Sequence, residues 1–480
     1  MIREISFVLD GKIETIDFNK DSWLSPTTTV LNYLRGLPTH KGVKEGCAEG
    51  DCGACTVVVG EIGRNDSITY KSVDSCLFFL PMIHGKQLVT VENLRDSSGE
   101  LHAVQDAMIE TGGSQCGFCT PGFIMSLFAL YKNENHPTRA RIDDSLTGNL
   151  CRCTGYRPIV EAAARSCVHD HVDHFTLAEK EITGLLKSIP KGPLEIETKS
   201  QKYFRPDNIS DALSLRLKYP DAVLICGGTD VALRVTKKHE ILKEIIDLSC
   251  VDELHYVADA QDSLSIGSAV TLSEAVPYLE QDFAALHDML AVFGSQQIRN
   301  VATFGGNVGT ASPISDIPPV LVAYGAKVIL QSRDGKREIP FDEYFLGYRK
   351  TAKRDAEIIA GITIPKWKNG TIVRSYKVSK RKDLDISTLS GGFRIDLSKD
   401  GRVDSLVLAY GGMAEKTKRA TSAENFIKGK RWARDTVEHA MPLVDKDFTP
   451  ISDARGSAEF RKVAARNLLL KFWADTSNDY

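Results

Sequence analysis

Long apolar runs are missing from this 480-residue chain, and so is an excess of charge of either sign. No stretch approaches the roughly 18 consecutive apolar residues that suggest a membrane-spanning helix. The opening residues, MIREISFVLDGKIETIDF, lack the continuous apolar segment of an export signal. A soluble, cytoplasmic protein that binds no membrane is the expectation. Lys and Arg number 60 against 63 Asp and Glu, a net charge of −3, which argues against a strongly basic nucleic-acid binder. Neither G-x-G-x-x-G nor H-E-x-x-H occurs, so a Rossmann dinucleotide fold and a zinc protease lose their usual signatures. No fixed-period repeat is present.

Cysteine, by contrast, is concentrated. Of eleven cysteines, eight fall before residue 154, whereas Cys167, Cys226 and Cys250 look incidental. An odd total with no export signal disfavours a disulfide framework. With 42% hydrophobic residues the chain can bury a sizeable core, and its length suggests about three domains.

The order of elements divides the chain. Ile5, Phe7 and Leu9 alternate before Asp10-Gly11, which predicts a β-hairpin continuing through Ile13 and Ile16. TTVLNYL predicts a threonine-capped helix, and GCAEGDCGACTVVVGEI a glycine-rich loop entering a Val-rich strand. Residues 1–90 thus make a small mixed α/β domain. Residues 91–167 are helical: HAVQDAMIETGG closes on glycine, Pro121 opens a strongly apolar helix, and Pro158 opens another. Four helices in two pairs are expected. Residues 168–200 carry charge, Pro190, Gly192 and Pro193, show little periodicity beyond a short helix, and are read as a linker. Strands and helices then alternate through 201–368, and 369–480 forms a last α/β segment closed by the helix AEFRKVAARNLLLKFW.

Cys47, Cys52, Cys55 and Cys76 have the spacing C-x4-C-x2-C-x20-C, the plant-type ferredoxin arrangement for a [2Fe–2S] cluster. Three thiolates on one loop must converge while backbone N–H groups approach the sulfurs, and Gly46, Gly50 and Gly53 permit the turns that this demands. A zinc site usually takes two C-x2-C pairs, and this set has one. Cys116, Cys119, Cys151 and Cys153 give C-x2-C-x31-C-x1-C, a second four-cysteine set with one pair opening each half of the helical region. Spacing alone leaves a structural zinc open there.

The words around these cysteines, SQCGFCTPGF and GNLCRCTGYRPI, resemble the two-cluster module of the molybdenum hydroxylases. That family includes xanthine dehydrogenases, aldehyde oxidases and bacterial carbon monoxide dehydrogenases. The resemblance implies that the second set also holds a [2Fe–2S] cluster, in a four-helix bundle behind a β-grasp ferredoxin-like domain. It also implies that Gln115 contacts the pterin of a molybdenum cofactor, the molybdopterin of a partner.

LICGGTDV (224–231) and NVATFGGNVGTASPISD (300–316) are glycine-rich. Paired glycines after a strand expose N–H groups that suit a pyrophosphate, although tight turns explain such loops about as well. Both stretches resemble the FAD-binding domain of the same family, the α+β fold of vanillyl-alcohol-oxidase-type flavoproteins. On that resemblance Leu224, Ile225, Cys226, Gly227, Gly228, Thr229, Asp230 and Val231 form the first pyrophosphate loop. Thr303, Gly306, Asn307 and Thr310 form the second, followed by Ser312 and Asp316. Phe293 matches an aromatic residue near the adenine, and GYRKT (347–351), Ile359 and Lys377 match positions that approach the flavin. The loop KRKDLDIS after Ser379 differs by a residue from the animal enzymes.

The resemblance runs through LAYGGMAEKT to the closing helix, so it implies a purine-oxidising member, converting hypoxanthine and xanthine to urate. Its expected order of carriers is molybdenum in a separate large subunit, the 116/119/151/153 cluster, the 47/52/55/76 cluster, FAD, then NAD+. The expected assembly is a heterotetramer of two small and two large subunits. No catalytic residue for substrate hydroxylation is expected here, because that chemistry belongs to the partner. The alternatives are an aldehyde- or heterocycle-oxidising relative and an assembly or regulatory module without turnover. His169, His171 and His174 are read as a solvated linker trio rather than a metal site, and Arg152, Arg157 and Arg165 as surface charge, as cations offsetting cluster charge, or as partners at the subunit interface.

Overall fold

The computed structural model describes residues 2–21, 23–168, 172–367 and 370–477. The chain forms two compact units: residues 1–215, 221–250 and 295–302 in one, and 216–220, 251–294 and 303–480 in the other.

In the first unit, β1 (Ile5–Leu9) and β2 (Lys12–Ile16) form the expected hairpin, with Asp10 and Gly11 both at positive φ as a two-residue turn of that hand requires. Helix α1 (Val30–Gly36) is capped by Thr29, whose hydroxyl accepts the Asn32 N–H at 3.2 Å. Strands β3 (Thr56–Ile62), β4 (Ile68–Asp74) and β5 (Gln87–Val89) complete a mixed sheet in the order β2-β1-β5-β3-β4, with β1 and β5 parallel. Val57 and Val59 enter one core and Val58 another, so both faces of β3 are covered and its apolar run is unbroken.

The second core holds four packed helices, α2 (Ala103–Glu110), α3 (Thr120–Asn133), α4 (Arg139–Leu146) and α5 (Arg157–Ser166). Pro121 and Pro158 sit in first turns, where a missing N–H costs no helical bond. The supposed linker differs from its reading. Its described part forms helices His174–Leu177 and Glu179–Ser188 and a strand, and Phe175, Ile182, Leu186 and Ile189 join the bundle core. Asp173 anchors it, with His102 at 3.2 Å and Lys132 at 2.8 Å, all nearly buried. His169 and His171 lie outside the described residues, while His174 packs edge-on to the His102 ring. A second sheet, β6 (Leu194–Glu197), β7 (Lys202–Arg205), β8 (Val223–Ile225) and β9 (Glu244–Asp247), runs β6-β7-β9-β8 and shares the first core.

The second unit has a five-stranded antiparallel sheet in the order Val257–Asp259, Ser263–Gly267, Ile358–Pro365, Lys327–Ser332, Gly335–Pro340. A four-stranded antiparallel sheet follows, Thr371–Val378, Leu389–Leu397, Val403–Gly411 and Lys418–Arg419. Helix Ile317–Tyr324, buried throughout, packs on its two central strands, and Ala458–Thr476 packs on the sheet as well. Among the described residues no helix is long and apolar enough to cross a membrane.

Candidate functional site

The x20 spacing of the first cysteine set is a hairpin length. Cys55 immediately precedes β3 and Cys76 follows β4 by two residues, and the register pairs Thr56 with Asp74. Ser75 closes the end, its hydroxyl donating to the Cys55 carbonyl at 2.6 Å. The hairpin therefore returns the fourth thiol to the loop that carries the other three. Cys55 and Cys76 are buried, and Cys47 and Cys52 are half-buried.

Among the described residues no three His, Cys, Asp or Glu side chains stand around a single ion-sized point. A binuclear cluster asks for two thiolates on each of two irons, and the four thiols lie in a string, Cys52 to Cys47 to Cys76 to Cys55. Cys52 and Cys76 donate to the Cys47 sulfur, which holds Cys47 well below the ordinary thiol range, while the same bond pushes Cys52 up. The Cys76 thiol lowers Cys55 in the same way. The N–H groups of Glu49 and Asp51 also reach Cys47 Sγ, at 3.5 and 3.3 Å. Four converging thiols with backbone donors on sulfur fit an iron–sulfur cluster. Asp74 lies beside them, buried, with Oδ2 unpartnered; burial, then the charge of Cys55, raises its carboxyl well above the usual range.

The second set is more open: Cys116 and Cys153 are exposed, Cys119 and Cys151 half-buried. Cys119 is the N-cap residue of α3. Cys116 lies below the ordinary range through the Phe118 N–H and then Cys153, and Cys153 is raised by that same partner. Burial, then Cys151, pushes Cys119 up to about 12. Burial opposes ionisation of Cys151, but the Thr154 hydroxyl (3.2 Å) and the N–H groups of Thr154 and Cys153 (both 3.4 Å) outweigh it. This donor set fits a cluster too. Gln115 is exposed beside Cys116.

The two loops touch directly. The Leu150 N–H donates to the Cys52 carbonyl at 3.0 Å. Asn149, which no local signal marks, donates to the Gly53 carbonyl at 3.1 Å. Gln297 joins the same buried network from a helix 148 residues further along.

The flavin-type stretches fall in different units. In the first unit, Leu224–Val231 leaves β8 through Gly227 and Gly228, both at positive φ. A Cβ on Gly227 would stand 2.0 Å from the Val301 carbonyl oxygen. At Gly228 the nearest atom is Met82 Sδ at 4.0 Å, which leaves the loop backbone approachable by a phosphate. Cys226 is buried beneath, a small residue filling space.

In the second unit, the stretch read as a second loop is a helix over Phe304–Thr310, capped by Thr303, whose hydroxyl accepts the Gly306 N–H at 3.0 Å. Tertiary crowding explains its glycines: a Cβ on Gly305 would meet Ser268 at 2.4 Å. Ser315 donates to Asn307 at 2.9 Å, and Ile359 lies against Gly309. Lys377 Nζ pairs with Asp316 at 3.1 Å and donates to the Val292 carbonyl at 2.8 Å, next to Phe293. Ser268 Oγ and Asp316 Oδ1 are buried without partners. Unpartnered buried polar atoms at this helix fit a polar cofactor. Thr310 and Ser312 are half-buried at the end of this helix. Arg165 pairs with Glu161 on the exposed face of α5, which accounts for its charge.

Three family models match. "[2Fe-2S] binding domain" covers residues 90–164, "FAD binding domain in molybdopterin dehydrogenase" 197–367, and "CO dehydrogenase flavoprotein C-terminal domain" 374–476. Xanthine dehydrogenase of Emericella nidulans is 34% identical over 98% of this chain and 38% of its own length. Xanthine dehydrogenase/oxidase of Gallus gallus is 32% identical over 98% of this chain and 40% of its own length. The chain thus spans about two fifths of these relatives. Among solved structures, carbon monoxide dehydrogenase from Hydrogenophaga pseudoflava matches with a TM-score of 0.54 at 22% identity, over 57% of this chain and 96% of that one. Quinoline 2-oxidoreductase from Pseudomonas putida 86 gives 0.54 at 22%, over 59% and 99%. At that identity these two likenesses show fold alone. The chain belongs to the molybdenum hydroxylase family, as its iron–sulfur and FAD-binding part.

Proposed function

We propose that this chain is the electron-transfer subunit of a cytoplasmic xanthine dehydrogenase, paired with a large subunit that holds the molybdenum cofactor. The observation that carries the reading is the pair of four-thiol sets on loops joined by the Leu150–Cys52 hydrogen bond, with flavin-type loops in the same chain. When bound, the clusters take one electron at a time, and the flavin converts single electrons to a hydride for NAD+. The chain's residues position these groups. Cys47, Cys52, Cys55 and Cys76 ligate one cluster, and Cys116, Cys119, Cys151 and Cys153 the other. Gly227 and Gly228 admit the pyrophosphate, while Thr303, Asn307, Asp316 and Lys377 shape the second flavin-facing segment. The exposed second set, with Gln115 beside it, faces the pterin of the partner, in an assembly of two small and two large subunits.

NADH tests the reading. Added to the cofactor-loaded chain, it should bleach flavin and cluster absorbance, whereas an inert chromophore would leave only a non-turnover module. The partner, co-purified and assayed with NAD+, should oxidise hypoxanthine and xanthine. Activity confined to aldehydes or other heterocycles would move the assignment to a different member of the family.

A further inference from the structure

A seam of backbone contacts lies between the two thiol sets. A Cβ on Gly53 would stand 2.3 Å from the Gly148 carbonyl oxygen, and one on Gly122 would stand 2.1 Å from the Gly53 carbonyl oxygen. The Cys52–Cys55 loop, the start of α3 and the loop before Cys151 therefore meet backbone to backbone. One bonded route crosses this seam. It runs from Cys52 Sγ through its Cβ, Cα and carbonyl, over the 3.0 Å hydrogen bond to Leu150 N–H, and on through the peptide to Cys151 Sγ.

Four buried polar side chains hold the seam shut. Asn149 Nδ2 donates to the Gly53 carbonyl at 3.1 Å and reaches Thr56 Oγ1 at 3.2 Å, and Ser126 donates to Asn149 Oδ1 at 2.6 Å. Gln297 Nε2 reaches Asn149 Oδ1 at 3.0 Å, Ser126 Oγ at 3.1 Å and Thr56 Oγ1 at 3.4 Å. Gln297 is 1% exposed and arrives on the short helix Gln296–Arg299, which Arg299–Asp144 and Asn300–Ser72 contacts fix in place. Gln297 Oε1 is buried without a partner, so the seating of the helix rests on the bonds made by Nε2, which would be costly to leave unmade in the interior.

We propose that Gln297, acting through Asn149, Thr56 and Ser126, is a positioning residue for electron transfer between the two clusters, and that Leu150 N–H···O=C Cys52 is the bridge it holds. This rests on the two-cluster reading above. The bridge carries one electron at a time, from a reduced cluster to an oxidised one, with no bond or proton exchanged.

The test uses the full chain, cofactor-loaded, with Gln297→Ala, Thr56→Val and the conservative Thr56→Ser. Three quantities are read: iron per chain, hydrogen exchange across Asn149–Cys151, and the spin–spin splitting between the reduced clusters in electron paramagnetic resonance. Gln297→Ala and Thr56→Val should speed exchange and lose the splitting while the four irons remain, and Thr56→Ser should keep native values. Unchanged splitting with all four irons present overturns the proposal, even if exchange quickens, because the network is then only a structural tie. A variant short of iron is decided by exchange, where a native rate overturns the proposal. Fewer than four irons in the unsubstituted, fully reconstituted chain would instead overturn the two-cluster reading.

Discussion

Gly53 and Gly117 occupy the same place in two short motifs, C-G-A-C and C-G-F-C, yet replacing each by alanine should have different consequences. Both are left-handed, with φ of +66° and +82°. An L-residue pays roughly 1–2 kcal/mol for that conformation. At Gly117 nothing lies within 4 Å of the added Cβ, so this is the whole cost. At Gly53 the Cβ would stand 2.3 Å from Gly148 O, 2.5 Å from Asn149 Nδ2 and 2.9 Å from Asn149 Cα, two of them backbone atoms. Forcing such a contact apart typically adds about 1–3 kcal/mol. Gly53→Ala should therefore cost about 2–5 kcal/mol, against about 1–2 for Gly117→Ala. For a unit of this size each kcal/mol moves the midpoint by about 2–4 °C. Gly122→Ala isolates the packing part, since its helical backbone gains up to about 1 kcal/mol from alanine while its Cβ meets Gly53 O at 2.1 Å. The measurement is the apparent calorimetric midpoint of the cofactor-loaded chain at one scan rate and pH. Equal shifts for Gly53→Ala and Gly117→Ala, or a stabilised Gly122→Ala, would refute the close backbone seam.

Cys151→Ala should abolish one cluster signal and leave the other, and retention of both would remove Cys151 from the ligand set. Gly227→Ala should release FAD, because its Cβ would stand 2.0 Å from Val301 O at a φ of +86°; an unchanged flavin-to-protein ratio would contradict the loop's assigned role. His84 predicts a pH dependence. Burial, then the charge of Arg205, pulls its pKa from 6.5 to about 4, and its Nδ1 accepts the Ser6 N–H at 3.0 Å. The folded state binds the proton less readily than the unfolded chain. Its contribution, up to about 3 kcal/mol, is therefore complete above pH 6.5 and lost as pH falls toward 4. Thermal midpoints of wild type and His84→Asn should converge over that interval, and parallel curves would show that His84 is not the group responsible.

Local signals were the readable ones. Asp10-Gly11 specifies its turn by backbone hand alone, and Pro121 and Pro158 mark helix starts because proline lacks the N–H that those positions leave unpaired. The first cysteine spacing was readable because three cysteines share a loop and the fourth returns along a hairpin of fixed length. In the segment 174–189 a short helix was readable but its packing into the bundle was not, because Pro190, Gly192 and Pro193 pointed to a linker although Ile182, Leu186 and Ile189 carry a helical period. The glycines of Phe304–Thr310 suggested a loop, and only the proximity of Ser268 to Gly305 shows why a helix there needs them. Gln297 had no signal at all. Its partners stand 148 to 241 residues away, and a glutamine means nothing until three polar groups surround it.

That distance bears on how the chain is divided. The FAD-type model spans residues 197–367, but the compact units cut it: 221–250 and 295–302 pack with the cysteine-bearing sheet and bundle. The first glycine loop therefore shares a core with the cysteine loops, since Ile225 and Ala232 bury beside Phe79, Leu80 and Met82. Lys237 adds a surface tie, donating to the Cys47 carbonyl at 3.0 Å. A hinge between separate iron–sulfur and flavin domains would leave these contacts free to vary. Burial of Gln297 and the shared core instead fix the first flavin loop to the cluster loops as one body. A carrier chain gains from this arrangement, because electron transfer depends on separations that a rigid unit holds constant whether or not the rest of the enzyme moves.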